Sequence, residues 1–249
     1  MTADWVQAGR TALTRWVSDG HATKDEVERL LLAFDYHDRR RRRGAAPMQN
    51  PEFFCPDLTA RPWHDPATFP WIRDLEAATD DIREEFFAAR QRNELAAHAE
   101  SKFARSGEWN THYFYAMGHA STDHLASSPR TAAALAKIPG TDSAGMCYFS
   151  VLSPNTHLPA HCGFFNTRLR CHLGLVVPPD CWMRVGRERR EWRESTCLVF
   201  DDSFEHEIRT GPEGERVVLL LDFWHPDLTE TERLAMRHLM SVWRPIFGW

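Results

Sequence analysis

YFSVLSPNTHLPAHCGFFNTRLRCHLGLVV, residues 148–177, decides the reading of this chain. Its closing run, 173–177, and two later runs, 196–200 and 217–222, are short and apolar, rich in β-branched and aromatic residues, and bounded by Pro, Asp or Gly. That pattern predicts buried strands. Inside the quoted stretch Arg168, Arg170 and His172 recur at period two. A strand would turn all three to one face and Thr167, Leu169 and Cys171 to the other. Histidines and arginines gather at the strand ends, where a closed sheet would aim them into the mouth of a barrel, a common place for a ligand.

Around this stretch, 249 residues are enough for one sizeable core, and a single domain is expected. Its parts are a helical lead-in over 1–45, a core over about 50–230 and a C-terminal helix over 229–249. The net charge of −5 gives no pull toward nucleic acid or acidic lipid. No run of eighteen apolar residues is present, and charges interrupt the N-terminal segment where a leader would need an apolar stretch, so a cytoplasmic protein without a membrane anchor is expected. Ten Trp and fifteen Phe favour a deep core and an aromatic-walled cleft. The six cysteines lack CxxC spacing and fall within or beside the predicted strands, so they read as reduced thiols packed as small apolar groups.

Taken in order, residues 4–18 and 23–36 have helical spacing, with Thr23 as an N-cap for the second segment. Five arginines at 39–43 repel one another and read as a solvated connector. Prolines and aromatics over 50–70 predict an extended segment laid over a sheet edge. Residues 72–103 form the strongest helical stretch, as one helix or two; 109–115 reads as a strand, 131–136 as a short helix and 229–243 as a terminal helix.

The residues of the central stretch carry a resemblance. HxG at His161, Cys162 and Gly163, the run Asn166-x-Arg168-x-Arg170-x-His172-Leu-Gly, FDDSFEHE over 200–207, Arg216 ten residues after His206, and Trp224-His225-Pro226 occur in the order seen in the aspartyl/asparaginyl β-hydroxylase family of oxygenases. A weaker echo over 51–65 extends the likeness to roughly 50–230. The resemblance implies a mainly β fold: a double-stranded β-helix, the jelly-roll or cupin-like barrel, flanked by N-terminal and C-terminal helices. It also implies iron(II), 2-oxoglutarate and O₂ as cofactor and cosubstrates, with His161 and His206 as the metal ligands. Gly163 stands where many such oxygenases carry a ligating carboxylate, a departure the family shares. By the same resemblance Arg216 and Ser150 hold the distal carboxylate of 2-oxoglutarate, and Arg170 and His172 lie near its keto-acid end. Arg168, with Arg170, faces the substrate.

The residues add their own reasons. Neutral imidazole suits iron(II), and a planar guanidinium suits a buried carboxylate better than an ammonium does. Asp201, Asp202 and Glu205 flank His206, where one of them could fix its ring tautomer or simply serve the turn. His157 reads as a surface residue in a Pro-bounded loop, and His225 as structural. The expected reaction is hydroxylation of an unactivated C–H, at the β-carbon of an aspartyl or asparaginyl unit in a peptide, an amino acid or a carrier-bound amino acid. Competing readings are a related oxygenase on another small substrate, halogenation included, and a barrel that binds metal and 2-oxoglutarate without catalysis, which an exposed Arg216 would favour. A cupin-type isomerase or hydrolase would want more converging His or Glu ligands. Residues 109–115 and the loops around Phe164 and Phe165 are the expected substrate selectors.

Overall fold

In a computed structural model that describes residues 4–37, 45–99 and 104–248, the chain opens with two helices, α1 (Asp4–Ser18) and α2 (Glu28–Asp35). It then follows β1 (Trp63–His64), α3 (Ile72–Ala77), α4 (Thr79–Gln91), β2 (Ala96–Ala97), β3 (Trp109–Ala116), β4 (His119–Ala120), α5 (Thr122–Ser127) and α6 (Pro129–Leu135). The rest comprises β5 (Met146–Leu152), β6 (His157–His161), β7 (Arg168–Val176), β8 (Trp182–Val185), β9 (Glu188–Glu191), β10 (Cys197–Phe200), β11 (His206–Arg209), β12 (Arg216–Trp224) and α7 (Glu230–Phe247). The arginine run at 39–43 lies outside the described residues.

The strands form two antiparallel sheets. The larger has the order β1-β10-β7-β12-β5-β3-β2, with β4 beside β3, and the smaller the order β6-β11-β8-β9. Together they make the jelly-roll expected from the sequence. Period-two alternation sorts the residues of the large sheet. On its outer face Cys147, Phe149 and Val151 of β5, Leu169, Cys171, Leu173 and Leu175 of β7, and Val217, Leu219, Leu221 and Phe223 of β12 pack with Ile72, Leu75, Ile82 and Phe86 of α3 and α4. Leu219 is wholly buried there, and its truncation to Ala would cost about 2–5 kcal/mol. The opposite face meets the small sheet through Tyr148, Leu152, Val218 and Leu220 against Leu158, Met183, Val185 and Ile208. Arg168, Arg170, His172, Ser150, Arg216 and Asp222 share the parity of this inner face.

A third cluster ties the ends of the chain together. α7 begins with a capping box, Thr229 Oγ1 accepting from the Glu232 amide and the Glu232 carboxylate from the Thr229 amide, and it runs past the predicted end at 243 to Phe247, where Gly248 caps it with a left-handed φ of 81°. Trp243 is fully buried against α1 and donates from Nε1 to the Trp5 carbonyl at 2.9 Å.

Most predicted elements have their counterparts, the helix over 72–103 only in part. It divides at Ala78, as allowed for, but α4 stops at Gln91. Asn93 then takes a left-handed φ of 57°, and the following alanines pair as β2 with Asn110 and Thr111 of β3. Good helical propensity yields here to the unpaired backbone of a sheet edge. Segment 50–70 behaves as expected, since Trp63 and His64 pair with Phe200 and Val199 of β10 and close the other edge.

Candidate active site

His161 ends β6 and His206 begins β11, and the two strands pair so that the histidines sit directly opposite each other, ring centroids 4.2 Å apart. A β-bulge makes this possible. Between the pairs His161–His206 and Leu158–Ile208, β6 spends three residues where β11 spends two. The extra residue lets Leu158 and His161 both face inward, which strict alternation would forbid. Each ring is oriented by a backbone carbonyl: His161 Nδ1 lies 2.7 Å from the Pro159 oxygen and His206 Nδ1 2.9 Å from the Phe204 oxygen. A carbonyl only accepts, so both Nδ1 atoms carry the proton and both Nε2 lone pairs are left for a ligand. Burial, with the neighbouring His161, holds His206 well below the usual imidazole range, in the neutral form that ligates metals.

The position two residues after His161 shows why it is glycine. A Cβ on Gly163 would stand 2.5 Å from the Asp202 carboxyl carbon, and the Gly163 amide donates to the Asp202 carbonyl at 2.6 Å. Asp202 therefore brings a carboxylate to this corner from another loop. Its Oδ2 meets Arg170 Nη1 at 3.0 Å and Arg168 Nη2 at 3.8 Å, while its buried Oδ1 has no partner. Asp222 balances the same two arginines from β12: Arg170 reaches its two oxygens at 2.7 and 3.1 Å, and Arg168 Nη1 stands at 3.2 Å. Burial works against the charge of Arg170, yet Asp202 and Asp222 more than offset it and hold the guanidinium well above its ordinary value.

Deeper in the barrel the balance changes. Arg216, 1% exposed, has no carboxylate partner among the described residues, and its Nε and Nη1 make no hydrogen bond. Burial pulls its pKa down to about 10. The guanidinium lies over the Trp192 ring, 4.9 Å from the centroid. Ser150 accepts from Trp109 Nε1 at 3.0 Å, and Trp109 is stacked on His98 at a centroid distance of 3.6 Å.

A cleft of about 610 Å³ opens above the two histidines. It brings together His161, His206, Arg168, Arg170 and Asp202, with Trp109, Phe164 and Phe165 on its walls, but Ser150, His172 and Arg216 do not line it and lie fully buried below. Of the expected substrate-selecting strand, Trp109 alone reaches the cleft.

One reading is corrected, and an alternative left open by the sequence is decided. His157 belongs to strand β6 rather than a loop, and it is tied to Glu207 at 2.9 Å on the outer side of the bulge instead of lying free at the surface. The tautomer of His206 is set by the Phe204 carbonyl and not by Asp201, Asp202 or Glu205; Glu205 pairs with Arg184, and Asp201 accepts from the Ser203 amide within the turn. His225 has the structural place expected of it, meeting the Thr59 carbonyl at 3.2 Å and accepting from the Asp227 amide. Asp222 and Trp192 were missed. A charge inside the run VVLLLDFW was the available signal for Asp222, since a carboxylate in a buried strand needs a cation.

Among the described residues no group of three or more His, Cys, Asp or Glu is placed to hold a metal ion. The residues present nevertheless fit iron(II) with a chelating cosubstrate: two imidazoles with free Nε2 atoms, an unpartnered Asp202 oxygen beside them, and a buried guanidinium with two unanswered donors.

Compared with known proteins, residues 76–226 match the family described as aspartyl/asparaginyl beta-hydroxylase. The human aspartyl/asparaginyl beta-hydroxylase is 30% identical over 82% of this chain and 28% of its own length. The human aspartate beta-hydroxylase domain-containing protein 2 is 35% identical over 79% of this chain and 56% of its own, and a Rhizobium tropici ornithine lipid ester-linked acyl 2-hydroxylase is 36% identical over 73% and 66%. The chain thus spans about a quarter of the first of these relatives and about half of the second. Among solved structures a Pseudomonas putida prolyl-4-hydroxylase is similar at a TM-score of 0.39 and 17% identity, covering 59% of this chain and 87% of that one. No helix among the described residues is long and apolar enough to cross a membrane.

Proposed function

Because the chain belongs to the aspartyl/asparaginyl β-hydroxylase family, we propose that it is an iron(II)- and 2-oxoglutarate-dependent oxygenase that hydroxylates an unactivated C–H. The observation that carries this reading is Arg216. A cation buried without a counter-ion costs several kcal/mol, and an anionic guest repays that cost. His161 and His206 would hold the metal through Nε2, and Ser150, His172 and Arg216 the cosubstrate, with Arg170 nearby. When bound, iron(II) and 2-oxoglutarate supply the oxidation that places one oxygen of O₂ on the substrate carbon and the other in succinate, with release of CO₂.

The chain's own residues do the rest. The Pro159 and Phe204 carbonyls keep both imidazoles in the ligating tautomer, so binding requires no ring reorientation. Asp202 Oδ1 is an acceptor for a proton on whatever occupies the position that Gly163 leaves without a ligand. Arg168 and Arg170 face the substrate, which on this reading is an aspartyl or asparaginyl unit in a small molecule or peptide, oxidised at its β-carbon. A second substrate reading, an acyl chain, is favoured by Met117, Met146, Phe164, Phe165 and Phe247 along the same cleft and by the name of the Rhizobium relative.

The test is succinate formation from 2-oxoglutarate under iron(II), with a panel of aspartyl, asparaginyl and acyl compounds, beside Arg216→Ala. Succinate that rises with one class and disappears in the variant supports the oxygenase and selects the substrate. Loss of iron binding in His161→Ala and His206→Ala supports the ligand pair. A wild-type protein that binds neither iron nor 2-oxoglutarate sinks the reading.

A further inference from the structure

Trp192 follows β9 and is 3% exposed, in the apolar cluster between the sheets. A tryptophan in a core needs one acceptor for its indole N–H, and a backbone carbonyl usually provides it. Here the N–H points instead to an imidazole: Nε1 lies 3.3 Å from His172 Nδ1. The face of the same ring supports Arg216, whose guanidinium carbon is 4.9 Å from the ring centroid. One side chain thus touches both buried donor groups.

The consequence for His172 is chemical. Indole N–H can only donate, so His172 Nδ1 must be the bare nitrogen and Nε2 must carry the proton. That Nε2 is buried and has no partner, and neither have Arg216 Nε and Nη1. Three donor nitrogens, on two neighbouring strands joined by pairs such as Leu220–His172, are therefore left unanswered around one indole. Burial, with the charges of Arg216 and Arg170, keeps the imidazole neutral, so it adds a hydrogen bond without a second positive charge. The opposite tautomer would turn a lone pair toward any carboxylate held by Arg216 and repel it.

We propose that Trp192 is a positioning residue for the cosubstrate: it fixes His172 as an Nε2–H donor and seats Arg216, so that both address one carboxylate-bearing ligand. This rests on the cosubstrate reading given above. Unlike a packing role, it depends on the indole nitrogen, which Trp192→Phe removes while keeping an aromatic face beneath Arg216.

The first readout needs no metal and no turnover. Long-range ¹H–¹⁵N spectra of the metal-free protein report which ring nitrogen of His172 is protonated, with His172→Gln identifying the signal. The wild type is expected to show Nε2–H alone; a proton on Nδ1 overturns the proposal, whatever the variant does. In Trp192→Phe the two tautomers are expected to mix, and the KM for 2-oxoglutarate of the iron-loaded enzyme to rise about three- to tenfold while kcat changes less than twofold, the loss of one hydrogen bond's worth of orientation. His172→Gln, which keeps an N–H near the Nε2 position, should retain more 2-oxoglutarate affinity than His172→Leu. A variant with unchanged tautomer and KM overturns the role of Trp192 and leaves the oxygenase reading intact. An iron-loaded wild type that does not bind 2-oxoglutarate overturns the cosubstrate reading, and this use of Trp192 with it.

Discussion

Arg170 and Arg216 sit on neighbouring strands of one sheet and turn to the same side, yet the protein treats them in opposite ways. Arg170 is held by the carboxylates of Asp202 and Asp222, and its charge is secured. Arg216 is still more deeply buried, has no carboxylate, and is pulled down toward about 10. A folded chain that can place two acids around one guanidinium and none around the next has separated two tasks. The first arginine is secured by internal carboxylates at the mouth of the site, and the second, on the reading proposed above, is left for an anionic cosubstrate.

The strongest test of that contrast removes the internal anion. Asp222→Asn leaves Arg168 and Arg170 with the Asp202 carboxylate alone, and its single amide oxygen cannot accept from both Arg170 Nε and the Met146 amide as the carboxylate does, so it should cost about 3–5 kcal/mol in urea unfolding. Arg216→Met should do the reverse, stabilising the ligand-free protein by about 1–3 kcal/mol while lowering 2-oxoglutarate turnover by about 100-fold. Paired unfolding and succinate assays decide it: a destabilised Arg216→Met would mean that its charge is already answered inside the fold.

Gly163→Ala acts between the two regions. Its Cβ needs the space of the Asp202 carboxylate, so the protein should lose about 1–3 kcal/mol and bind iron more weakly in anaerobic titration, and adding a carboxylate at 163 would not restore the missing ligand position. The smallest effect concerns His98, whose imidazole is held down to about 3 by burial and by nearby Arg170. The unfolded chain takes up a proton there near 6.5 that the folded one refuses, so this contribution is complete above pH 6.5 and is lost as the pH falls toward 3. His98→Phe should keep the stack on Trp109 and flatten that acid limb by about 1 kcal/mol per pH unit, read as unfolding free energy against pH.

How much of this was legible in the sequence depends on the range of the physics involved. The strands over 168–176 and 216–224 follow from composition and alternation, and the shared face of Arg168, Arg170 and His172 follows from the period alone. The end of α4 was not legible, because a run of helix formers gives no sign that a sheet edge will claim its last alanines. The pairing of Arg170 with Asp222 joins residues 52 positions apart, and the partner of Trp192 is set by a hairpin whose packing no local pattern specifies. His157 was misplaced because the prolines at 154 and 159 read as the bounds of a loop, whereas the segment pairs as a strand.

That bulge bears on how such a site can change over generations. The histidines meet although the chain between Leu158 and His161 is one residue longer than the opposing strand requires, because the bulge absorbs the surplus. Inserting one residue between His206 and Ile208 would leave both imidazoles in the sequence and every ligand type unaltered, yet it would equalise the two strands, and strict alternation would then turn the histidine pair away from the face that Leu158 and Ile208 share. Substitution can adjust this centre by degrees, whereas a change of length switches it off in a single step. What inheritance must preserve here is therefore a count as well as an alphabet.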